Sequence, residues 1–176
     1  MWADYRLFSY LMLGPRYNQK VEALLPEIRG KTYYNDVERV VTLVKSGDYN
    51  RIATEYTSCF INNYPKLLCP PYESWYKEGT VYGRSAMEVM EFYSMFGLSH
   101  VKELPDHVAT EFEFVAFLYK VGQNEVAEKF IVSHVLTWVP RLAEDVKRYG
   151  RTEYLTALGE ALSKFMESEK SRFGLK

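Results

Sequence analysis

The sequence is poor in the residues that announce chemistry. Its 176 residues include only two cysteines and three histidines. Cys59 and Cys69 cannot make a disulfide framework, and they lack the close pairing and neighbouring histidines of a zinc site. They read as reduced thiols of a cytosolic protein, each behaving as a small hydrophobe. With no ligand cluster in view, neither a metal nor an organic cofactor is expected. Charge of one sign is also missing: 22 Lys and Arg oppose 23 Asp and Glu, a formal net charge of −1. That balance gives no sign of a nucleic-acid partner, which would favour a basic bias. No apolar run approaches the ~20 residues of a membrane span. Met1-Trp2-Ala3-Asp4-Tyr5-Arg6 places no basic region ahead of an apolar stretch, so no secretory signal is expected. A soluble, cytoplasmic protein is the expectation. Glycine-rich phosphate loops, nucleophile elbows, internal repeats and any convincing period of two are absent as well.

What is there is aromatic and helical. Aromatic residues make up 16% of the chain, with fifteen Tyr and ten Phe. So many rings imply either a heavily packed core or a surface that grips peptides. The length suits one domain over residues 1–176, and the apolar pattern predicts an all-α bundle. A first helix is expected over Trp2–Leu13, stopped by Gly14-Pro15, and a second over Asn18–Ile28. A third is capped by Asn35 or Asp36, and a fourth by Asp48, with Ile52, Tyr56, Cys59 and Phe60 on one face. Later helices are expected at Ser85–Phe96, from Pro105 to about Val121, from Asn124 to Trp138 with an interruption at Pro140, on to Tyr149, and from Thr152 to about Ser168.

Between Asn62 and Gly83 the helical period vanishes. Pro65, Pro70, Pro71, Gly79 and Gly83 punctuate a stretch rich in Tyr64, Tyr72, Trp75, Tyr76 and Tyr82. A structureless segment of this length in a compact domain is uncommon and often functional, and a flexible linker would be polar.

The helix after Leu104-Pro105-Asp106-His107 places His107, Glu111, Phe114 and Leu118 on one stripe and Val108, Phe112, Val115 and Tyr119 on the next. His107 and Glu111 lie one turn apart, close enough for a direct hydrogen bond or ion pair. From Glu103 to Tyr119 the charged residues are Glu103, Asp106, Glu111 and Glu113, with no Lys or Arg. Two readings stand side by side. In one, this is an acidic, partly apolar surface for a cationic peptide. In the other, Asp106 caps the helix, His107 and Glu111 satisfy each other, and the rest is a solvated face. Further on, Ala127, Phe130, Ile131, His134, Val135 and Trp138 form one apolar stripe, in which His134 reads as a hydrogen-bonded core residue. His100 falls in a loop without an evident partner. A rival class is a small hydrolase or nucleotide-binding enzyme using His107 and Glu111 as acid and base. Another is a structural subunit of an oxidoreductase complex.

Four segments in order resemble the TorD/DmsD/NarJ-like family of redox-enzyme maturation chaperones. LCPPYESWYKEG is similar to that family's Pro-Tyr-Glu-Ser-x-Tyr segment, here Pro71, Tyr72, Glu73, Ser74 and Tyr76. EFYSMFGLSH is similar to its helix ending in an aromatic and Gly-Leu. LPDHVATEFEFVAFL resembles its Pro-x-Asp-His or Pro-Asp-His element with a Glu- and Phe-rich helix. HVLTWVPRLAEDV is similar to its His-x-x-x-Trp-x-Pro segment, carried by His134, Trp138 and Pro140. The resemblance implies an all-helical, non-enzymatic chaperone. Such a protein binds the N-terminal segment, often a twin-arginine signal peptide, of the catalytic subunit of a molybdenum-cofactor oxidoreductase until the cofactor is loaded. Carboxylates beside exposed aromatics suit guanidinium groups and an apolar run. The expected peptide-binding residues are Tyr72, Glu73, Trp75 and Tyr76 of the Pro-rich segment and Asp106, His107 and Glu111 of the helix start. His134, Trp138 and Pro140 are expected to be structural. Either a monomer or a homodimer formed by helix exchange about Leu98–Pro105 is compatible with the sequence.

Overall fold

The computed structural model describes residues 1–63, 66–99 and 104–175. Tyr64, Pro65, His100 and Glu103, singled out above, lie outside the described residues, as does part of the Leu98–Pro105 connection. The described chain is helical throughout: α1 (Trp2–Met12), α2 (Asn18–Leu24), α3 (Tyr34–Ser46), α4 (Tyr49–Phe60), α5 (Glu73–Glu78), α6 (Arg84–Ser94), α7 (Val108–Lys120), α8 (Asn124–Phe130), α9 (Leu136–Tyr149) and α10 (Glu153–Arg172). Among the described residues, extended pairing is limited to a single antiparallel bridge between Tyr72 and His107. None of the helices described is long and apolar enough to cross a membrane.

Helix α1 lies along α7, and α10 packs on α9 and α3. Rings fill the centre. Phe8 stacks on Phe165 with centroids 4.2 Å apart, and Tyr5, Tyr33 and Phe112 set their edges against Phe165. A second group joins Tyr93, Phe114, Phe130 and Phe92. Much of the aromatic content is therefore core, held in the offset and edge-on geometries that ring quadrupoles favour. Buried hydroxyls find partners: Tyr5 donates to Glu169 at 2.6 Å, and Tyr33 donates to Asp4.

Local chemistry explains the boundaries. Gly14 ends α1 at φ 98°, and a Cβ there would sit 2.9 Å from the Tyr56 ring. Only glycine meets both demands. Tyr56 then donates its hydroxyl to the Met12 carbonyl at 2.9 Å, satisfying one of the orphan acceptors at the end of α1. Asp48 caps α4 by accepting from the Asn50 and Arg51 amides.

Several expectations need correction. The second helix ends at Leu24, and Leu25–Ile28 tighten into a 3₁₀ turn with Pro26 in its first turn. Helix α3 starts at Tyr34, so Asn35 and Asp36 sit inside its first turn and do not cap it. The supposedly structureless stretch contains α5, closed by Gly79 in the left-handed region at φ 74°. Nor does Pro140 interrupt a helix. Residues 124–149 run on through a π turn, Ile131–Val135, and Pro140 lies within α9. The proline ring must avoid the carbonyl four residues earlier, that of Leu136. Leu136 follows the π turn directly and has ψ −13°, well off the regular helical value, so the distortion is taken up there.

Candidate functional site

The segment Pro71–Glu73 runs extended beside the entry to α7. Val108 N–H donates to the Pro71 carbonyl at 2.9 Å and Glu73 N–H to the Asp106 carbonyl at 3.0 Å. This pairing explains why the Pro-rich segment and the Pro-Asp-His element are informative together, although more than thirty residues separate them. Pro71 needs no N–H here, because its carbonyl makes the bond.

Asp106 does not cap α7. Its Oδ2 accepts the Ser74 N–H at 2.9 Å, an amide in the first turn of α5, so it caps the other helix from across the interface. The cap of α7 is His107, whose Nδ1 accepts from the Ala109 N–H at 3.1 Å. An accepting Nδ1 puts the ring proton on Nε2, and burial pushes the imidazole pKa down to about 4. The ring meets Tyr72 edge to face, with centroids 5.3 Å apart.

His107 and Glu111 are not a side-chain pair. Glu111 Oε2 instead accepts the indole N–H of Trp138 at 3.1 Å. Burial, and then the negative charge of Glu73, hold the Glu111 carboxyl well above the usual carboxylate range. Its Oε1, together with Asp106 Oδ1 and Ser74 Oγ, is buried without a hydrogen-bond partner. The direct His107–Glu111 acid–base pair is therefore not formed. Among the described residues, no group of three or more His, Cys, Asp or Glu side chains could hold a metal ion.

Glu73 is the centre of a second set of bonds. It is fully buried and reaches His134 Nδ1 at 2.9 Å through Oε2 and Lys77 Nζ at 2.6 Å through Oε1. Lys77 also donates to the Ser133 carbonyl in the π turn at 3.3 Å. Tyr76, half-buried, donates to Asp145 at 2.8 Å, lays its ring against Trp138 and carries the Arg141 guanidinium over its face. Trp75 is half-buried. His134 and Trp138 are buried and Pro140 is half-buried.

The site residues thus come together, but they do not form an acidic surface. Glu73, Asp106 and Glu111 are 0% exposed and His107 is 5% exposed. They bind α5, the start of α7 and the π turn into one unit, through carboxylates that already have partners. Sequence reading missed Lys77, although Glu73 and Lys77 stand at i, i+4 with the acid first, the favourable order for a helical pair.

An open cleft lies beside Tyr72 and His107. The cleft, of about 430 Å³, has one wall from Leu13, Pro15 and Arg16 and another from Tyr49, Ala53, Tyr56, Thr57 and Phe60 of α4 and the following Ile61, with Leu67, Tyr72 and His107 completing it. Tyr49 and Ile61 are among the exposed large apolar side chains. Arg16 brings the one formal positive charge among these lining residues, and none of them is a carboxylate. The signal for the cleft was a second, mixed stripe of Tyr49, Ala53, Thr57 and Ile61 along α4 and just past its end. Residues 49, 53, 57 and 61 recur at i, i+4, i+8 and i+12, beside the buried stripe of 52, 56, 59 and 60.

Comparison with known proteins decides what kind of molecule this is. Residues 17–144 match the family model described as nitrate reductase delta subunit. The chain belongs to that family. The matched span contains α5, the start of α7, the π turn and the cleft wall on α4. Among relatives of this family member, the chlorate reductase assembly chaperone protein of Ideonella dechloratans is 30% identical over 103 residues, 49% of this chain and 52% of the relative. The chaperone protein TorD of Vibrio cholerae is 26% identical over 116 residues, 57% of this chain and 52% of the relative. The chain spans about half the length of the curated relatives it matches. A crystal structure from Archaeoglobus fulgidus, described as a redox enzyme maturation protein, superimposes with a TM-score of 0.69 at 27% identity, covering 95% of this chain and 94% of that one. The resemblance read from the four motifs and the all-α fold both hold.

Proposed function

We propose that this chain is a cytoplasmic, non-enzymatic chaperone that holds the N-terminal segment of a molybdenum-cofactor oxidoreductase's catalytic subunit until the cofactor is in place. In this reading the apolar part of that segment lies in the cleft between α4 and the Pro15 turn. Tyr72 and His107 touch it directly. Glu73, Trp75, Tyr76, Asp106 and Glu111 act behind them, keeping α5 against α7 so that the cleft floor has a fixed shape. The twin arginines of an export signal, where the client carries them, lie outside the cleft, because its lining offers Arg16 and no carboxylate.

The observation that carries the proposal is the coincidence of an open, tyrosine-lined cleft, rimmed by exposed Tyr49 and Ile61, with the motif segment shared with maturation chaperones. Exposed apolar side chains around a concave site mark a place where a partner is bound. Tyrosines suit a transient grip, since each gives large contact area at low conformational cost.

The test is calorimetric titration of the chain with the N-terminal peptide of the oxidoreductase subunit recovered with it from its host. Ala53→Arg fills the cleft from a half-buried helix position without disturbing the core, and is expected to weaken binding at least about tenfold, the equivalent of 1.4 kcal/mol. Equal affinity for both proteins, with the variant folded, would place the peptide elsewhere.

A further inference from the structure

Cys59, next to last in α4, and Cys69, just ahead of Pro70-Pro71, are both buried. Their sulfurs face each other at 2.6 Å. The backbones are joined as well, the Cys69 N–H donating to the Cys59 carbonyl at 2.9 Å. With standard bond lengths, that single bond keeps the two α-carbons within about 6.8 Å. A disulfide spans separations of this size, and the thiols point at each other and not apart. Two residues ten apart in sequence therefore meet in both backbone and side chain, at the base of a segment whose Ile61 and Leu67 line the cleft.

We propose that Cys59 and Cys69 are a dithiol modification site that closes reversibly to an intramolecular disulfide, clasping the end of α4 to the start of the Pro-rich segment. The oxidant is a low-molecular-weight disulfide. The thiolate of one cysteine attacks it, forming a mixed disulfide and releasing one small thiol. The second cysteine, as thiolate, then attacks the protein sulfur of that mixed disulfide and releases the other small thiol. Each released thiolate takes up the proton that a cysteine gave up, so two protein thiols are oxidised and one small disulfide is reduced. The hydrogen bond with Cys59, and then burial, push the Cys69 thiol's pKa up. Cys69 is thus a slow nucleophile until the segment opens, and once a mixed disulfide has formed, closure is intramolecular and fast. Closing a loop of this length removes freedom from the unfolded chain and tethers one edge of the cleft.

The full chain is equilibrated with mixtures of reduced and oxidised glutathione, quenched in acid, alkylated and analysed by intact mass and peptide mapping. The two thiols are expected to disappear together, giving a species without alkyl label in which the peptides carrying Cys59 and Cys69 are linked. Its thermal midpoint should lie about 5–10 °C above that of the reduced chain, as a loop of this size predicts. Cys59→Ser and Cys69→Ser should each carry one glutathione and show no such rise. Wild-type protein that ends with two glutathione adducts, or with two alkylated thiols across the oxidising range, overturns the proposal. So does linked protein whose midpoint is unchanged. The mass map of the wild type decides the matter even if a serine variant fails to fold.

Discussion

Removing the Glu73 carboxylate should unfasten the motif segment before it affects any ligand. Glu73→Ala deletes the partner of His134 Nδ1 at 2.9 Å and of Lys77 Nζ at 2.6 Å. The two losses are unequal. The Lys77 side chain is 28% exposed and turns to water, so its share is small, as for other ion pairs in contact with solvent. His134 is 4% exposed and has no such recourse. Leaving its donor buried and unpaired, in a cavity where the carboxylate stood, costs about 3–5 kcal/mol. For a chain of this size the melting temperature should fall by about 6–20 °C. Glu73→Gln keeps an acceptor for His134 and forfeits only the charge, so about 1–2 kcal/mol is expected. Urea unfolding followed by circular dichroism gives both numbers, and a cycle with His134→Ala should return a coupling of about 1–3 kcal/mol. A Glu73→Ala protein that melts within 2 °C of wild type, or a cycle with no coupling, would show that these bonds do not hold α5 to the π turn.

Other consequences follow from the same geometry. Glu111 has a folded-state pKa raised above its unfolded value, so its contribution is fully present below the unfolded pKa and is lost as pH rises through the folded one. Glu111→Gln keeps an acceptor for the Trp138 indole, and should leave acid stability unchanged while raising stability at neutral and alkaline pH, read from melting curves across pH. His107 runs the other way. Its folded pKa of about 4 lies below the unfolded value, so stability should drop by about 3 kcal/mol as pH falls from the unfolded imidazole range towards 4. Nitrogen NMR at neutral pH should show its proton on Nε2. Asp106→Ala strips the cap from the Ser74 amide and should cost about 1–3 kcal/mol, whereas Asp106→Asn retains an acceptor and should cost less. Gly14→Ala should be strongly destabilising because φ and the Tyr56 ring both exclude a Cβ.

The longer helices were legible because their apolar faces repeat over three turns or more, and the motif residues because four segments match a known family in order. What the sequence concealed has physical reasons. Helix α5 is six residues long, too short to display a period, and it is held by Asp106 from 32 positions away. Asp106 looked able to cap α7 and His107 to pair with Glu111, but which amide each serves depends on how Pro71–Glu73 lies against α7. A run of carboxylates without Lys or Arg read as a solvated or ligand-facing surface. In the fold, Glu73 finds His134 in the π turn besides Lys77 in its own helix, and Glu111 finds Trp138 in α9; sequence spacing carries no trace of His134 or Trp138 as partners. The cleft is a place where α4 is left uncovered, and an uncovered stripe is written in the same residues as a covered one.

The most direct test of the account is site-specific photo-crosslinking in the native host. A photoreactive phenylalanine analogue is placed in turn at Tyr49 and Thr57, on the cleft wall, and at Met95, exposed on another part of the surface. The proposed function predicts that positions 49 and 57 capture the first residues of a molybdenum-enzyme catalytic subunit, and that position 95 does not. Capture of that segment from position 95, with none from the cleft, would contradict it.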